Sequence, residues 1–209
     1  MKIIKLVMFI CLFQGTTLSQ DSLYAVPKTT FNFMSIKEKS EDTLVILTCN
    51  KYVYSPFGKI GKKSDLRSSL LKTFKVASHH DKMENGVFEF HSLQMDSSRL
   101  ILFFNEDKSG EGGSYIIKGQ IKSSKVHFIN NVRIGMDIFS FVNIFFVSYS
   151  NRIVHQYNTI IFESCLTGSI RHIYNFHNGL LKSVNFDSPS CIWNFKEVLL
   201  PNQQLKLTE

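Results

Sequence analysis

The apolar residues of this chain come in short runs closed off by turn formers, and that punctuation constrains the fold more than any other feature. Thr43–Thr48, Leu100–Phe104, Thr159–Phe162 and Leu180–Phe186 are each rich in β-branched or aromatic residues and read as strands. Asn178-Gly179 stands between Ile170–Phe176 and Leu180–Phe186, and this dipeptide favours a two-residue hairpin turn. Asp96-Ser97-Ser98 turns a strand over Val87–Met95 into Leu100–Phe104. Tyr115, Ile117 and Ile121 alternate with Lys118 and Gln120, as in a strand exposed on one face, and Val126–Ile129 is expected to pair with it. Nineteen phenylalanines against one tryptophan suit sheet packing better than a helix bundle.

Two segments have helical spacing instead. Ser64 and Asp65 suit a helix start, with Leu66, Leu70, Leu71 and Phe74 on one face. Asp137 can cap a second helix bearing Ile138, Phe141, Val142 and Phe145 on one face. Phe139 and Phe146 extend its apolar surface beyond what a surface helix needs, so either the segment is buried on two sides or its second face binds a partner, with Phe139 and Phe146 as the candidate binding residues. The expected fold class is α+β, an antiparallel sheet with two short helices. Ile60-Gly61 and Ile134-Gly135 both lead into a helix and then strands, so a tandem repeat of about 75 residues is a further expectation. The expected divisions are 1–19, an N-terminal arm at 20–42, α+β units at 43–129 and 130–200, and a loose tail at 201–209.

Residues 1–19 read as an export signal. Lys2 and Lys5 form the basic start, Ile3–Phe13 the apolar core, and Thr17-Leu18-Ser19 the small-residue cleavage pattern before Gln20. The expected location is periplasmic or secreted, with no transmembrane helix in the mature chain. Losing two of the 24 basic residues leaves 22 against 17 acidic ones, or +5. That excess does not identify a nucleic-acid binder. In an oxidising compartment Cys49, Cys165 and Cys191 could give one internal disulfide, with Cys165–Cys191 the expected pair on proximity in sequence; the alternatives are three buried thiols or a bridge to a partner chain. Bulky Phe9 and Ile10 precede Cys11, so no lipid anchor is expected there.

The Ile134-Gly135-Met136 turn leading into a Phe-bearing helix and a meander resembles an arrangement known from cell-envelope proteins. Similar turns open the helices of the BamE-like outer-membrane assembly lipoproteins and the tandem β-lactamase-inhibitor proteins. The resemblance covers residues 130–186, with an echo at 58–104. Neither family is enzymatic, so it implies a protein-binding role.

Groups able to do chemistry are few. Glu89 and His91 stand two apart on a strand and so share a face, where they could serve as base and orienter, although a cross-strand polar pair is the commoner meaning. His79-His80-Asp81 reads as a solvated loop, because adjacent histidines point apart and no further ligand has diagnostic spacing. His172 with Tyr174 reads as polar decoration of a sheet, and Cys165 as a structural cysteine. Lys59, Lys62, Lys63, Arg67, Lys72 and Lys75 form a basic cluster that fits a solvated helix face or an acidic partner. The chain carries no nucleophile elbow, zinc-protease helix, phosphate loop or dinucleotide fingerprint. The expectation is a non-enzymatic protein-binding module without metal or cofactor, with a secreted hydrolase using Glu89 and His91 as the alternative.

Overall fold

The computed structural model describes residues 22–83, 86–105, 113–165 and 170–188. The expected export signal, Cys191, the segment around Trp193 and the tail 201–209 lie outside the described residues. In chain order the elements are β1 (Ala25–Pro27), β2 (Phe33–Ser40), β3 (Thr43–Thr48), α1 (Lys51–Tyr54), a 3-10 helix (Lys63–Ser68), β4 (Lys75–Met83), β5 (Gly86–Met95), β6 (Ser98–Asn105), β7 (Gly113–Ile121), α2 (Ile138–Phe145), β8 (Phe146–Tyr149), α3 (Arg152–His155), β9 (Thr159–Ser164), β10 (Arg171–His177) and β11 (Leu180–Asp187). Nine strands form one sheet in the order β2-β3-β9-β10-β11-β7-β6-β5-β4, while β1 and β8 make a two-stranded ribbon. The sheet-dominant α+β class read from the sequence is the class observed.

Neighbouring strands run antiparallel except β3 and β9, which are parallel and in register from Thr43↔Thr159 to Thr48↔Ser164. This pair accounts for the unbroken apolar runs: Leu44, Val45 and Ile46 are all buried, as are Ile160, Ile161 and Phe162. Strands covered on both faces need no polar alternation. In the centre, Asn178 and Gly179 both adopt positive φ, 52° and 71°, and close the hairpin at His177↔Leu180 as expected. Gly119 sits where β6, β7 and β11 come together, opposite both Leu100 and Phe186. A Cβ there would lie 2.6 Å from the Arg99 carbonyl oxygen and 2.9 Å from Leu100 Cα, so the β6–β7 approach requires glycine.

One face of the sheet carries the core. Helix α2 lies on it: the Asp137 carboxylate caps the helix by accepting from the Ser140 N–H at 2.9 Å, and Ile138, Phe141, Val142 and Phe145 are buried as expected. The Phe145 ring centroid is 4.8 Å from that of Phe162, and Phe141 is 4.7 Å from Tyr174. Edge-on and tilted contacts of this kind suit the ring quadrupoles.

The first expected helix is a correction. Leu66, Leu71 and Phe74 are buried, but Leu70 is exposed, and only a short 3-10 turn forms. Serine hydroxyls take over backbone partners here: Ser68 Oγ donates to the Asp65 carbonyl, and Ser69 Oγ donates to the Leu66 carbonyl while accepting from the Leu71 N–H. Such local bonds compete with continuation as α-helix. Val126–Ile129 is a second correction. It is no strand, because β7 already has β6 and β11 as neighbours; instead Phe128 stacks on Phe57 at 4.9 Å and Ile129 N–H donates to the Pro56 carbonyl. His79-His80-Asp81 is a third: these residues belong to β4, not to a loop.

The units expected at 43–129 and 130–200 share this sheet, since β3 pairs with β9 and β7 with β11, and they share one core. The expected arm contributes β1 and β2 to the ordered structure.

Candidate functional site

Glu89 and His91 share a face of β5, and the structure brings two further groups to them. The antiparallel register of β4 and β5 sets Ser78 opposite His91 and His80 opposite Glu89. Ser78 Oγ lies 3.1 Å from His91 Nδ1. Lys63, from the 3-10 helix, donates to Ser78 Oγ at 2.7 Å and to Glu89 Oε1 at 3.2 Å. His91 Nε2 is 3.7 Å from the same Glu89 oxygen, too far for a hydrogen bond. The Lys63 and Glu89 side chains are about half exposed, at 50% and 40%, whereas His91 is buried at 2% with its ring against Phe104.

The electrostatics follow from that partition. Burial lowers the pKa of His91 and outweighs the Glu89 charge, with Lys63 adding to the depression, so the imidazole is neutral at neutral pH. Partial burial raises the Glu89 carboxyl, but the Lys63 hydrogen bond and the Lys63 charge hold it below its ordinary value. The cluster therefore has a carboxylate and an ammonium at the surface, with a hydroxyl between the ammonium and a buried neutral imidazole. A neutral imidazole against a hydroxyl can accept its proton, which is the minimal element of nucleophile activation. Ser78 and Lys63 were not linked to the pair by sequence reading. The usable signal was the antiparallel register counted back from Met83↔Gly86, which places Ser78 across from His91.

The other candidates separate. Phe139 is 46% exposed, with its ring centroid 5.4 Å from that of His155. Phe146 is 2% exposed, so its candidacy for partner binding is corrected: its ring packs on Phe31 and Phe33 inside the core. Helix α2 ends at Phe145, and the chain turns into β8 at Phe146, reversing which side of the segment faces inward.

His172 and Tyr174 are interior groups, not surface decoration. Tyr174 OH donates to Tyr52 OH at 2.8 Å and lies 3.4 Å from His172 Nδ1. Burial drives the pKa of His172 down to about 3, opposed by a hydrogen bond with the Val53 backbone, and burial raises both tyrosines.

The expected Cys165–Cys191 bridge is also corrected, because Cys165 is bonded to Cys49. The parallel β3–β9 register ends at Thr48↔Ser164, so the next residue on each strand is one of these cysteines, with Cα atoms 5.0 Å apart. Proximity in sequence was the wrong guide, because parallel pairing joins residues far apart in the chain.

The basic segment leads straight into β4, whose described residues Lys75–His80 are all exposed at the sheet edge. Pairing with β5 runs from Lys75↔Gln94 to Met83↔Gly86 without a register shift. The Ile134-Gly135-Met136 turn has Gly135 at φ 88° and is stitched to β11 by Gly135 N–H donating to the Leu181 carbonyl and Leu181 N–H donating to the Met136 carbonyl. Among the described residues no cluster of three or more His, Cys, Asp or Glu could hold a metal ion. No described helix is long and apolar enough to cross a membrane. No protein-family model matches the chain, and no curated protein or solved structure matches it either.

Proposed function

We propose that this chain is an exported, non-enzymatic module that binds another protein in the cell envelope or the extracellular space. The observation that carries the reading is the β4 edge, nine residues paired to β5 without interruption and exposed over Lys75–His80. A long regular edge is a template for a further strand. The Cys49–Cys165 bridge supports export, since such bridges persist in oxidising compartments. The resemblance of the Ile134-Gly135-Met136 turn to non-enzymatic envelope families agrees with this. A tandem origin is supported by the meeting of β7 and β11, each the last strand of its meander, side by side at the sheet centre.

Affinity capture tests the reading, with mature protein (Gln20–Glu209) as bait against envelope and culture-fluid extracts of its source. One stoichiometric partner is expected. A folded bait that captures nothing counts against a binding role.

The contact between Ser78 Oγ and His91 Nδ1 favours a second reading, a serine hydrolase in which Ser78 attacks and His91 accepts its proton. Labelling with a fluorophosphonate probe, lost in Ser78→Ala, would support it; no labelling of the wild type removes it.

A further inference from the structure

Resting on the binding role above, we infer that the β4 edge receives an extended, acidic segment of the partner protein as an additional strand of the sheet. Three observations converge there. The ladder is regular, so the outward backbone groups of β4 are spaced to meet another strand. The edge is exposed over Lys75–His80. The segment that runs into it is basic: Lys59, Lys62, Lys63, Arg67, Lys72 and Lys75 stand against Asp65, and Lys63 reaches Ser78 of β4. The nearby Glu89 carboxylate is already engaged by Lys63.

The charge also selects the occupant. A second copy laid along β4 would set one basic segment beside another, and like charges directly opposed oppose pairing. An extended peptide with acidic residues meets both the ladder and the cations. A nucleic acid would satisfy the cations but leave the backbone ladder unused. The same lysines that keep this edge from self-association therefore admit a partner of opposite sign.

The test uses the full mature chain and a fluorescein-labelled, acetylated ten-residue peptide of alternating glutamate and valine, with a lysine–valine peptide as control. Anisotropy reads binding, and amide hydrogen exchange reads its location. The expected result is that the glutamate peptide binds, slows exchange in β4 and is released by salt, while the lysine peptide does not bind. Lys72→Glu combined with Lys75→Glu, both exposed positions, is expected to weaken binding about tenfold with the circular dichroism unchanged. Equal binding of both peptides, no slowing of exchange in β4, or a β4-dependent dimer in sedimentation without peptide overturns the inference. A partner captured from extract and held at full affinity by the doubly reversed variant leaves the binding role in place and removes β4 as its site.

Discussion

The two outer strands of the sheet meet the same difficulty, a row of backbone groups with no strand beyond, and they meet it differently. At β2 the pairing with β3 shifts register between Phe33 and Ser35 and again between Glu38 and Ser40. Glu38 is then tied to α3, with Arg152 Nη2 donating to its carboxylate at 2.9 Å and Gln156 Nε2 at 3.0 Å. The Tyr157 hydroxyl first, then Arg152 and Gln156, outweigh partial desolvation and hold that carboxyl below its ordinary range. The Cys49–Cys165 bridge lies just past the ends of β3 and β9. At β4 there is no shift in register, and the tie to the rest of the molecule is Lys63, half exposed, reaching Ser78 and Glu89. Two shifts in register break the ladder at the β2 edge, while β4 keeps a regular ladder that a further strand can meet.

The largest test of this contrast is to open the closed end. Cys49→Ser with Cys165→Ser removes a link spanning 116 residues, which in chain-entropy terms costs about 5 kcal/mol. Urea unfolding measures it, and exchange in β2 and β3 should rise more than in β4. A loss below about 1 kcal/mol would mean that the bulges and ties hold that end without the bridge.

Gly119→Ala acts at the seam between the two ends. The methyl group must displace the backbone of Arg99 and Leu100, an overpacking effect of about 1–3 kcal/mol. The loss of stability should come with faster exchange across β6 and β7; a neutral variant would show that the seam can widen freely.

Acid should weaken the interior beside α1 through His172. Its folded pKa of about 3 lies below the ordinary 6.5, so the unfolded chain binds the extra proton first as pH falls. The contribution is complete above about pH 6.5 and shrinks toward pH 3, a loss of about 2–3 kcal/mol near pH 4.5. Chemical denaturation at stepped pH reads the slope, and His172→Phe should flatten it. An unchanged slope in that variant would assign the acid sensitivity elsewhere.

The smallest difference separates the surface ties. Arg152→Ala removes the link between β2 and α3 and should lower Tm by about 1–2 °C, while Lys63→Ala should change it by less than about 1 °C. The reverse order would make Lys63 a structural strut, not a mobile surface cation.

Most strands were legible because buried strands leave dense apolar runs, and because Asn178-Gly179 names its own turn. Helix α2 was legible from the cap at Asp137 and the spacing of Ile138, Phe141, Val142 and Phe145. β4 was not, because an edge strand with few apolar residues looks like a loop in one dimension: Val76 is exposed and the central residues are Ser78, His79 and His80. For the same reason the partners of Glu89 and His91 stayed hidden. The Cys49–Cys165 pair and the burial of Phe146 depend on long-range strand pairing and on a helix ending one residue earlier, neither of which leaves a local signature.

The parallel β3–β9 pairing has a consequence for the order of folding. β4 to β7 form a meander whose contacts are close in sequence, so that part can assemble from local encounters soon after it emerges. β3 cannot take its place beside β9 until the chain has been made through Ser164, and β2 pairs only with β3. The first two strands of the sheet are thus among the last to dock, and until then Leu44, Val45 and Ile46 are exposed to whatever receives the chain. A chaperone holding residues 43–48 during that interval would act on the segment at greatest risk of misassociation.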